Sequence, residues 1–527
     1  MMGQLWYGGP IYTMQEEGEQ VEAVVVHNEQ IIAVGGKEEL SQRYQTYIQQ
    51  EINLEGCTML PGLVDSHMHL IGHGERLMRL DLSACNSYEE MIELVKDRVA
   101  QTEAGDWIVG EGWNENAFYD KQDMHIRDLD CLSSCHPIVL KRVCRHALFV
   151  NSYVLQQSGI TDETTNPKGG KIGRDRNGHI NGLLYDQAQN LVTDIMPLQT
   201  EEYLQKALEI AVTDCWSYGL VGGHTEDLHY YGGFKRTYEA FERVLKDKPF
   251  KAHLLVHHEV VDEIKLYENQ HYLEFGAMKI FADGSLGGRT ALLSEPYSDC
   301  PEEKGVAVWN QEELNHFIQK ARTLQRSVAV HAIGDEAFKN VIEAIKQYPP
   351  MPGQRDRIIH CQVLRQDLID RAKQLAVVLD IQPIFVSSDF PSVIEKLGQE
   401  RLRYAYAWNT LHKEGFVCAG GSDAPIEQVN PFLGIYSAVS RKSFIDEKVY
   451  LPKERLTMFE AVSLFTSGSA YAICKEQCRG KIIPGYEADF TIVDRDVFTI
   501  QPEELLELSV MMTVVDGIVV YTKERGR

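Results

Sequence analysis

Short apolar runs separated by helix-like segments dominate the middle of the chain. The runs cover residues 60–70, 219–224, 252–257, 277–282, 327–331, 357–360, 375–381 and 416–423. Helix-like segments fill most of the intervals, for example residues 311–325 and 336–347. Strands that alternate with helices predict a parallel sheet, and eight such strands predict an α/β fold of the (β/α)8 class, a closed TIM-type barrel.

Both ends of the chain show a different pattern, which is typical of short strands joined by turns. Residues 23–26 and 31–34 are strand-like near the start, and residues 488–493 and 511–520 are strand-like near the end. Neither end has enough strands to bury a core alone. We therefore expect residues 1–58 and 476–527 to pair into one small β-sandwich domain.

One interval between the predicted barrel strands is too long for an ordinary connection. Residues 70–219 span roughly 150 positions, far more than a crossover helix needs. This interval has its own strand and turn signals at residues 106–110, 137–140 and 177–182. We predict a barrel of residues 59–84 and 200–475, with an inserted α/β subdomain, residues 85–199, that caps the active site.

His67 and His69 end the first apolar run and are separated by one residue. Side chains alternate along a strand, so both imidazoles point the same way and form half of a metal site; the alternative is two ordinary histidines near a loop. Barrel enzymes carry their chemistry at the carboxyl ends of the strands. At or near the carboxyl ends of the other predicted strands lie Lys279, His331, His360 and Asp423. This combination predicts a metal centre.

These residue types suit hydrolytic chemistry. Imidazole and carboxylate groups bind Zn²⁺ and related divalent ions, and water bound to such a metal ionises near pH 7 and becomes a nucleophile. Asp423 can accept the water's proton and pass it to a leaving amine. Lys279 fits beside a metal if it is neutral, or if it is carboxylated to a carbamate that bridges two ions. The alternative for Lys279 is a salt bridge near Asp283.

Composition excludes several kinds of partner and compartment. The net charge of −25 argues against nucleic acid and anionic membranes, which need a basic surface. No apolar stretch is long enough to span a bilayer, and residues 1–7 lack the features of a secretory signal. The eleven cysteines form no CxxC pair, which indicates reduced thiols. We expect a cytoplasmic protein.

Several motifs resemble those of a known family. They are PGLVDSHMH at 61–69, KIFADGSLGGRTA at 279–291, HAIGD at 331–335 and GSDAP at 421–425, with GWNE at 112–115 and RHALFVNS at 145–152 in the insertion. The chain resembles the amidohydrolase superfamily over nearly its whole length. The second motif points to the amidohydrolase-3 branch, the YtcJ-like group that includes N-substituted formamide deformylase.

The resemblance implies roles for individual residues. Metal ligation is implied for His67, His69, His331, His360 and Asp423, with carboxylated Lys279 as a bridge if the site is binuclear. Asp423 would be the proton shuttle. Trp113 and His146 would line the substrate pocket, with His146 polarising the scissile carbonyl; the alternatives are a lid core residue and a loop anchor. Asp283 and Arg289 would form a polar pair that positions the fourth strand. A homodimer is implied by the resemblance alone.

We therefore expect a metal-dependent hydrolase that cleaves a carbon–nitrogen bond of amide or formamide type in a small molecule. Deamination and ester hydrolysis at the same site are alternatives, as is a barrel that only binds a metal or small ligand. The proton acceptor Asp423 favours catalysis over simple binding. One or two zinc ions per chain are expected, although iron, manganese and nickel take similar ligands. His224, His257 and His258 receive no role.

Overall fold

The structure, a computed structural model, describes residues 3–114, 118–120, 124–142, 147–167, 170–196 and 200–524. The chain forms two compact units. One comprises Met1–Gly74 and Leu204–Arg527, and the other comprises Glu75–Tyr203. Across the described residues, the helices are too short or too polar to cross a lipid bilayer.

The strands of the described residues are numbered along the chain. They are β1 Gly3–Tyr12, β2 Gln20–His27, β3 Gln30–Gly35, β4 Ile48–Asn53, β5 Thr58–Pro61, β6 Leu63–Met68, β7 Leu80–Asp81, β8 Ile108–Trp113, β9 Ile138–Arg142, β10 Ala147–Val150, β11 Gly170–Arg174, β12 Ile180–Asp186, β13 Leu220–Thr225, β14 Lys251–His257, β15 Leu273–Phe281, β16 Val328–Ala332, β17 Asp356–His360, β18 Val377–Ile381, β19 Cys418–Gly420, β20 Phe490–Val493, β21 Val510–Val515 and β22 Ile518–Thr522.

The α-helices are numbered in the same way. They are α1 Lys37–Arg43, α2 Leu70–Met78, α3 Tyr88–Gln101, α4 Ile126–Leu132, α5 Ser152–Gln157, α6 Asn190–Thr193, α7 Glu201–Ser217, α8 Phe234–Asp247, α9 Gln311–Thr323, α10 Asp335–Gln347, α11 Gln366–Ala372, α12 Phe385–Asp389, α13 Ser392–Arg401, α14 Trp408–Lys413, α15 Pro431–Ser440, α16 Met458–Ser463 and α17 Ser469–Ala472. A π-helical turn, Leu464–Gly468, joins the last two.

Eight parallel strands of the described chain form the barrel. Their order is β19-β18-β17-β16-β15-β14-β13-β6, so each strand pairs with its neighbour in sequence. Each of the eight predicted runs overlaps one of these strands, and the ends differ by at most a few residues. Beyond the strand ends, the N–H of Asp423 donates to the carbonyl of His67 at 2.8 Å, and the N–H of His69 donates to the carbonyl of Ala424 at 2.7 Å. These bonds join the first and last strands, and the predicted barrel is confirmed.

Strands from both ends of the chain share one mixed sheet, so the two ends pair as predicted, whereas the domain limits 1–58 and 476–527 remain predictions. Its order is β22-β21-β20-β5-β1-β2-β3, and β4 pairs with β1. The central pairing joins β20 antiparallel to β5, so the C-terminal strands complete a sheet that the N-terminal strands begin. Trp6 and Phe490 pack edge to face with ring centroids 5.7 Å apart in its core. Apolar side chains from both ends of the chain are buried together in this core.

The unit Glu75–Tyr203 has its own sheet and core. Its strands follow the order β11-β12-β10-β9-β8-β7, and α3 and α4 contribute to the apolar cluster that packs on them. The predicted α/β insertion after the first barrel strand therefore has the expected class of structure. The limits 85 and 199 and the capping role remain predictions.

Candidate metal centre

The six predicted ligands lie at one rim of the barrel. His67 lies in β6, Lys279 in β15 and His331 in β16, and His360 is the last residue of β17. His69 and Asp423 follow β6 and β19 by one and three residues. Because the strands are parallel, all of these positions are at the same, carboxyl-terminal edge.

His67, His69 and Asp423 form the closest group. Asp423 Oδ1 lies 3.4 Å from His67 Nε2 and 3.5 Å from His69 Nε2. The three donor atoms lie within 4.8 Å of one another, as ligands of one ion do. The backbone of Asp423 has a φ of 59°, a left-handed conformation that aspartate tolerates better than most residues. This turn directs the carboxylate toward the two imidazoles.

Lys279 is fully buried beside this group. Its Nζ lies 3.1 Å from His67 Nε2, and no described carboxylate lies within ion-pair distance of it. The salt bridge considered between Lys279 and Asp283 does not form. Burial, the largest influence, lowers the pKa of Lys279 to about 8 despite the nearby charges of Glu226 and Asp423. A lysine with this pKa is neutral in a minority of molecules at physiological pH, far more often than an exposed lysine.

His331 and His360 extend the centre to one side. Their ring centroids are 4.4 Å apart, and the ring of His360 lies 5.6 Å from that of His67. The imidazoles therefore form a continuous row from β6 across to β16 and β17, which can hold one ion or two.

Hydrogen bonds to carbonyl oxygens orient three of the imidazoles. His69 Nδ1 donates to the backbone carbonyl of Glu226 at 2.7 Å, and His360 Nδ1 donates to Gln382 Oε1 at 2.7 Å. His331 Nε2 donates to the carbonyl of Gly284 at 3.0 Å. A carbonyl oxygen only accepts, so the proton sits on the bonded nitrogen and the other nitrogen is free to ligate.

Electrostatics separate His69 from the other histidines. Burial lowers the pKa values of His67 and His331, and lowers that of His360 to about 4. Burial also opposes the charge on His69, but the hydrogen bond and charge of Asp423 and the charge of Glu226 outweigh it and raise the pKa to about 9. Burial likewise opposes the charge on Asp423, but its hydrogen bond to His69 lowers its pKa below the usual range. Without a metal, His69 is therefore the imidazole of this group that holds a proton at neutral pH.

The polar pair expected between Asp283 and Arg289 does not form. The guanidinium of Arg289 pairs instead with Asp299, at 2.7 and 3.1 Å. Asp283 is buried and accepts backbone N–H bonds from Leu292, Ile333 and Gly334 at 2.8 to 3.0 Å. The Asp283 carboxylate thus links the loop that contains Leu292 to the loop that follows β16, because it accepts backbone N–H bonds from both loops. The substrate contacts predicted for Asp283 and Arg289 remain predictions.

Trp113 and His146 are the two residues predicted to line the substrate pocket. Trp113 is buried in the core of the unit Glu75–Tyr203, with the Arg142 guanidinium 5.9 Å from its ring centroid. This position matches the alternative of a core residue. His146 lies outside the described residues. A substrate-binding role for either residue remains a prediction.

Sequence reasoning missed several residues that support the centre. Gln382 directly follows β18, so the rule that barrel chemistry lies at strand ends would have found it there. Asp65 accepts bonds from the N–H of His67 at 3.0 Å and from the hydroxyl of Ser422 at 2.6 Å. It lies inside the first motif, where an acidic residue buried between two strands has no separate sequence signal. Phe281 also lies here, with its ring 5.3 Å from that of His331.

Residues 50–521 match the model of a family described as "Amidohydrolase family". The chain is 50% identical over 528 residues to "Putative amidohydrolase YtcJ" of Bacillus subtilis (strain 168), covering 99% of this chain and 100% of the relative. It is 24% identical to "N-substituted formamide deformylase" of Arthrobacter pascens, covering 97% of each.

Among solved structures, the chain is similar to an uncharacterized metal-dependent hydrolase from Pyrococcus horikoshii OT3. The TM-score is 0.79 at 26% sequence identity, and the match covers 95% of this chain and 99% of that one. The similarity in sequence and structure thus extends over the barrel, the terminal sheet and the inserted unit.

Proposed function

We propose that this chain, which belongs to the amidohydrolase family and is a metal-dependent hydrolase, cleaves a carbon–nitrogen bond of amide or formamide type. The observation that carries the proposal is the approach of the Asp423 carboxylate to two imidazole nitrogens at the barrel rim, at 3.4 and 3.5 Å. Similarity to an N-substituted formamide deformylase supports the class of bond.

The side chains at the rim fit a divalent metal. His67, His69, His331, His360 and Asp423 would hold it, and Lys279 would bridge if two ions bind. Nitrogen and carboxylate donors of this kind suit zinc, which we propose as the resident ion. His67 Nε2 and His69 Nε2 lie close to Asp423 Oδ1, and the bonds to carbonyl oxygens leave one nitrogen of His331 and one of His360 for an ion. When bound, the metal supplies Lewis acidity for polarising a carbonyl and activating water.

Lys279 is suited to carboxylation. Its neutral amine can add carbon dioxide and release a proton, which gives a carbamate with two oxygen donors. The amine is fully buried and has no carboxylate partner among the described residues. A buried ammonium without an ion-pair partner is costly, so conversion to an anion beside metal ions relieves this cost.

Asp423 is the proposed proton shuttle. Its hydrogen bond to His69 keeps the carboxylate ionised near neutral pH. The ionised carboxylate accepts a proton from the attacking water and passes it to the leaving nitrogen, which would otherwise depart as a poor amide anion. An ester substrate needs this protonation less, because an alkoxide is a better leaving group.

The test is a matched set of small substrates with metal-loaded protein. It comprises an N-substituted formamide, its formate ester and an amino-substituted heterocycle, with formate and ammonia measured as products. We expect formate release from the formamide, and a fall in kcat of about 100-fold or more for Asp423→Asn. Metal content is measured alongside, and Asp262→Asn, which changes an exposed carboxylate, serves as the control.

Two outcomes would change the assignment. Turnover of the ester or the heterocycle alone would assign the site to ester hydrolysis or deamination. Absence of turnover in a metal-replete protein over a wide amide set would favour a binding protein instead.

A further inference from the structure

A second group of metal-binding side chains lies at the same rim, on the segments that follow β13 and β14. His229 lies four residues after β13, His257 is the last residue of β14, and Glu259 follows two residues later. One donor atom from each lies within 4.8 Å of the others. None of the three belongs to the set proposed for catalysis.

The donor atoms of this rim cluster, His229, His257 and Glu259, lie close together. His229 Nε2 lies 3.3 Å from Glu259 Oε2. His257 Nδ1 accepts a long bond, 3.3 Å, from the backbone N–H of Glu259, which holds the imidazole next to that residue. The two imidazole rings stack, with centroids 4.3 Å apart and planes 10° from parallel. Two nitrogens and one carboxylate oxygen are thus gathered in one place.

The burial of the cluster suits an ion that keeps an open coordination position. His257 is buried, whereas the side chains of His229 and Glu259 are 32% and 56% exposed. A site with three protein ligands and an open side leaves its fourth position to water or to another ligand. An exposed ion pair between His229 and Glu259 would contribute little stability and would not need the second imidazole.

The rim cluster is separate from the proposed catalytic centre. His257 pairs with Lys279 in the register of β14 and β15, so the two sites are neighbours. The ring of Tyr230 lies between them, 6.2 Å from the ring of His69 and 6.2 Å from that of His257. No ligand is shared between the two sets.

We propose that His229, His257 and Glu259 bind one divalent transition-metal ion of the zinc class, in addition to the metal of the catalytic centre. Two imidazoles and a carboxylate match the ligand preference of zinc, whereas calcium and magnesium prefer sites made of oxygen ligands. One carboxylate and two neutral imidazoles leave the bound site with a net positive charge, which an acidic protein accommodates. The proposal does not depend on the bond that the enzyme cleaves.

The test measures metal stoichiometry and affinity in the metal-loaded protein. Zn²⁺ binding is followed by equilibrium dialysis with metal analysis for the wild type, His229→Ala and Glu259→Gln. Matched controls are His316→Ala and Glu268→Gln, which remove an exposed imidazole and an exposed carboxylate elsewhere. We expect the wild type and the controls to bind one more ion per chain than the two cluster variants. Where a cluster variant still binds the additional ion, the Kd for that ion should be at least about tenfold higher than in the wild type. Removing a group that only hydrogen-bonds to a metal ligand already weakens binding by about that factor, and these variants remove a ligand itself.

Spectroscopy with Co²⁺ provides a second readout. Cobalt exchanged for the additional zinc ion should produce d–d absorption bands in the wild type that are absent from His229→Ala and from His257→Gln, with unchanged circular dichroism in both variants. Equal stoichiometry and affinity in all variants would overturn the proposal. Loss of the catalytic metal together with the additional ion would overturn the separation of the sites. Equal displacement of the additional Zn²⁺ by Mg²⁺ would overturn the assignment to the zinc class.

Discussion

Zinc binding by the metal-free protein should weaken about tenfold for each pH unit below about 9. His69 is the cause. Burial lowers its pKa, but Asp423 and Glu226 together raise it to about 9. A metal that takes His69 Nε2 must displace the proton held there. His67, His331 and His360 have lowered pKa values and present no such competition.

The direction and the magnitude of this pH dependence of zinc affinity follow from the one proton on His69. Below pH 9 the protonated form of His69 competes with the metal, so affinity falls as pH falls; above pH 9 it levels off. Between pH 9 and pH 7 the expected loss is about 100-fold, or about 2.7 kcal/mol at about 1.36 kcal/mol per unit. Binding at pH 7 should release about one proton per ion for this reason.

The assay is chelator competition with Zn²⁺ across this pH range in bicarbonate-free buffer. Calorimetry in two buffers of different ionisation enthalpy measures the released proton. His69→Gln is the control, because it removes the titrating group and should give a nearly flat profile. A flat profile in the wild type, or an unchanged slope in the variant, would refute the reasoning. A slope of two below about pH 8 would assign a second displaced proton to Lys279, whose pKa is about 8.

Three further predictions concern the surroundings of the site. Lys279→Ala should lose a metal ion and most activity; metal content per chain, measured with and without bicarbonate, checks this, and unchanged content would show that Lys279 is not a bridge. Gln382→Leu should weaken zinc binding about 10-fold to 100-fold, because His360 loses the acceptor that orients it, whereas Gln382→Glu should keep most of the affinity. Equal affinities in a chelator competition would contradict that role. Lys251→Met should lower the free energy of unfolding by about 3–5 kcal/mol, because it leaves the buried carboxylates of Asp489 and Asp516 without their shared cation. Denaturant unfolding measures this loss, with exposed Lys246→Met as the control, and equal midpoints would contradict the prediction.

The barrel was predictable because its signal is local. A strand buried in a parallel barrel is a short apolar run, and eight such runs with helix-like segments between them have few other ways to fold. The predicted ligands met for the same reason, since parallel strands bring their carboxyl ends to one rim. His67 of β6 and Asp423 after β19 are far apart in sequence, yet the closing bonds of the barrel place them side by side.

Partner choice was harder to predict. Asp283 and Arg289 are close in sequence and opposite in charge, yet Asp283 accepts backbone N–H groups from two other loops and Arg289 pairs with Asp299. The same limit applies to Gln382, whose contact with His360 depends on the relative rotation of two neighbouring strands. The sequence pattern predicts which residues form a strand, but it does not predict which hydrogen-bond or ion-pair partner each polar side chain will have.

The sequence by itself determined the order of the strands, the set of candidate metal ligands at their ends and the family of the chain. The tertiary structure decided the protonation of His69, the burial of Lys279 without a direct ion pair and the meeting of His229 with His257 and Glu259. These properties arise from burial and from charges on other strands and loops. Hydrogen bonds and electrostatic energies change over a few ångströms, and such distances exist only after the chain has folded.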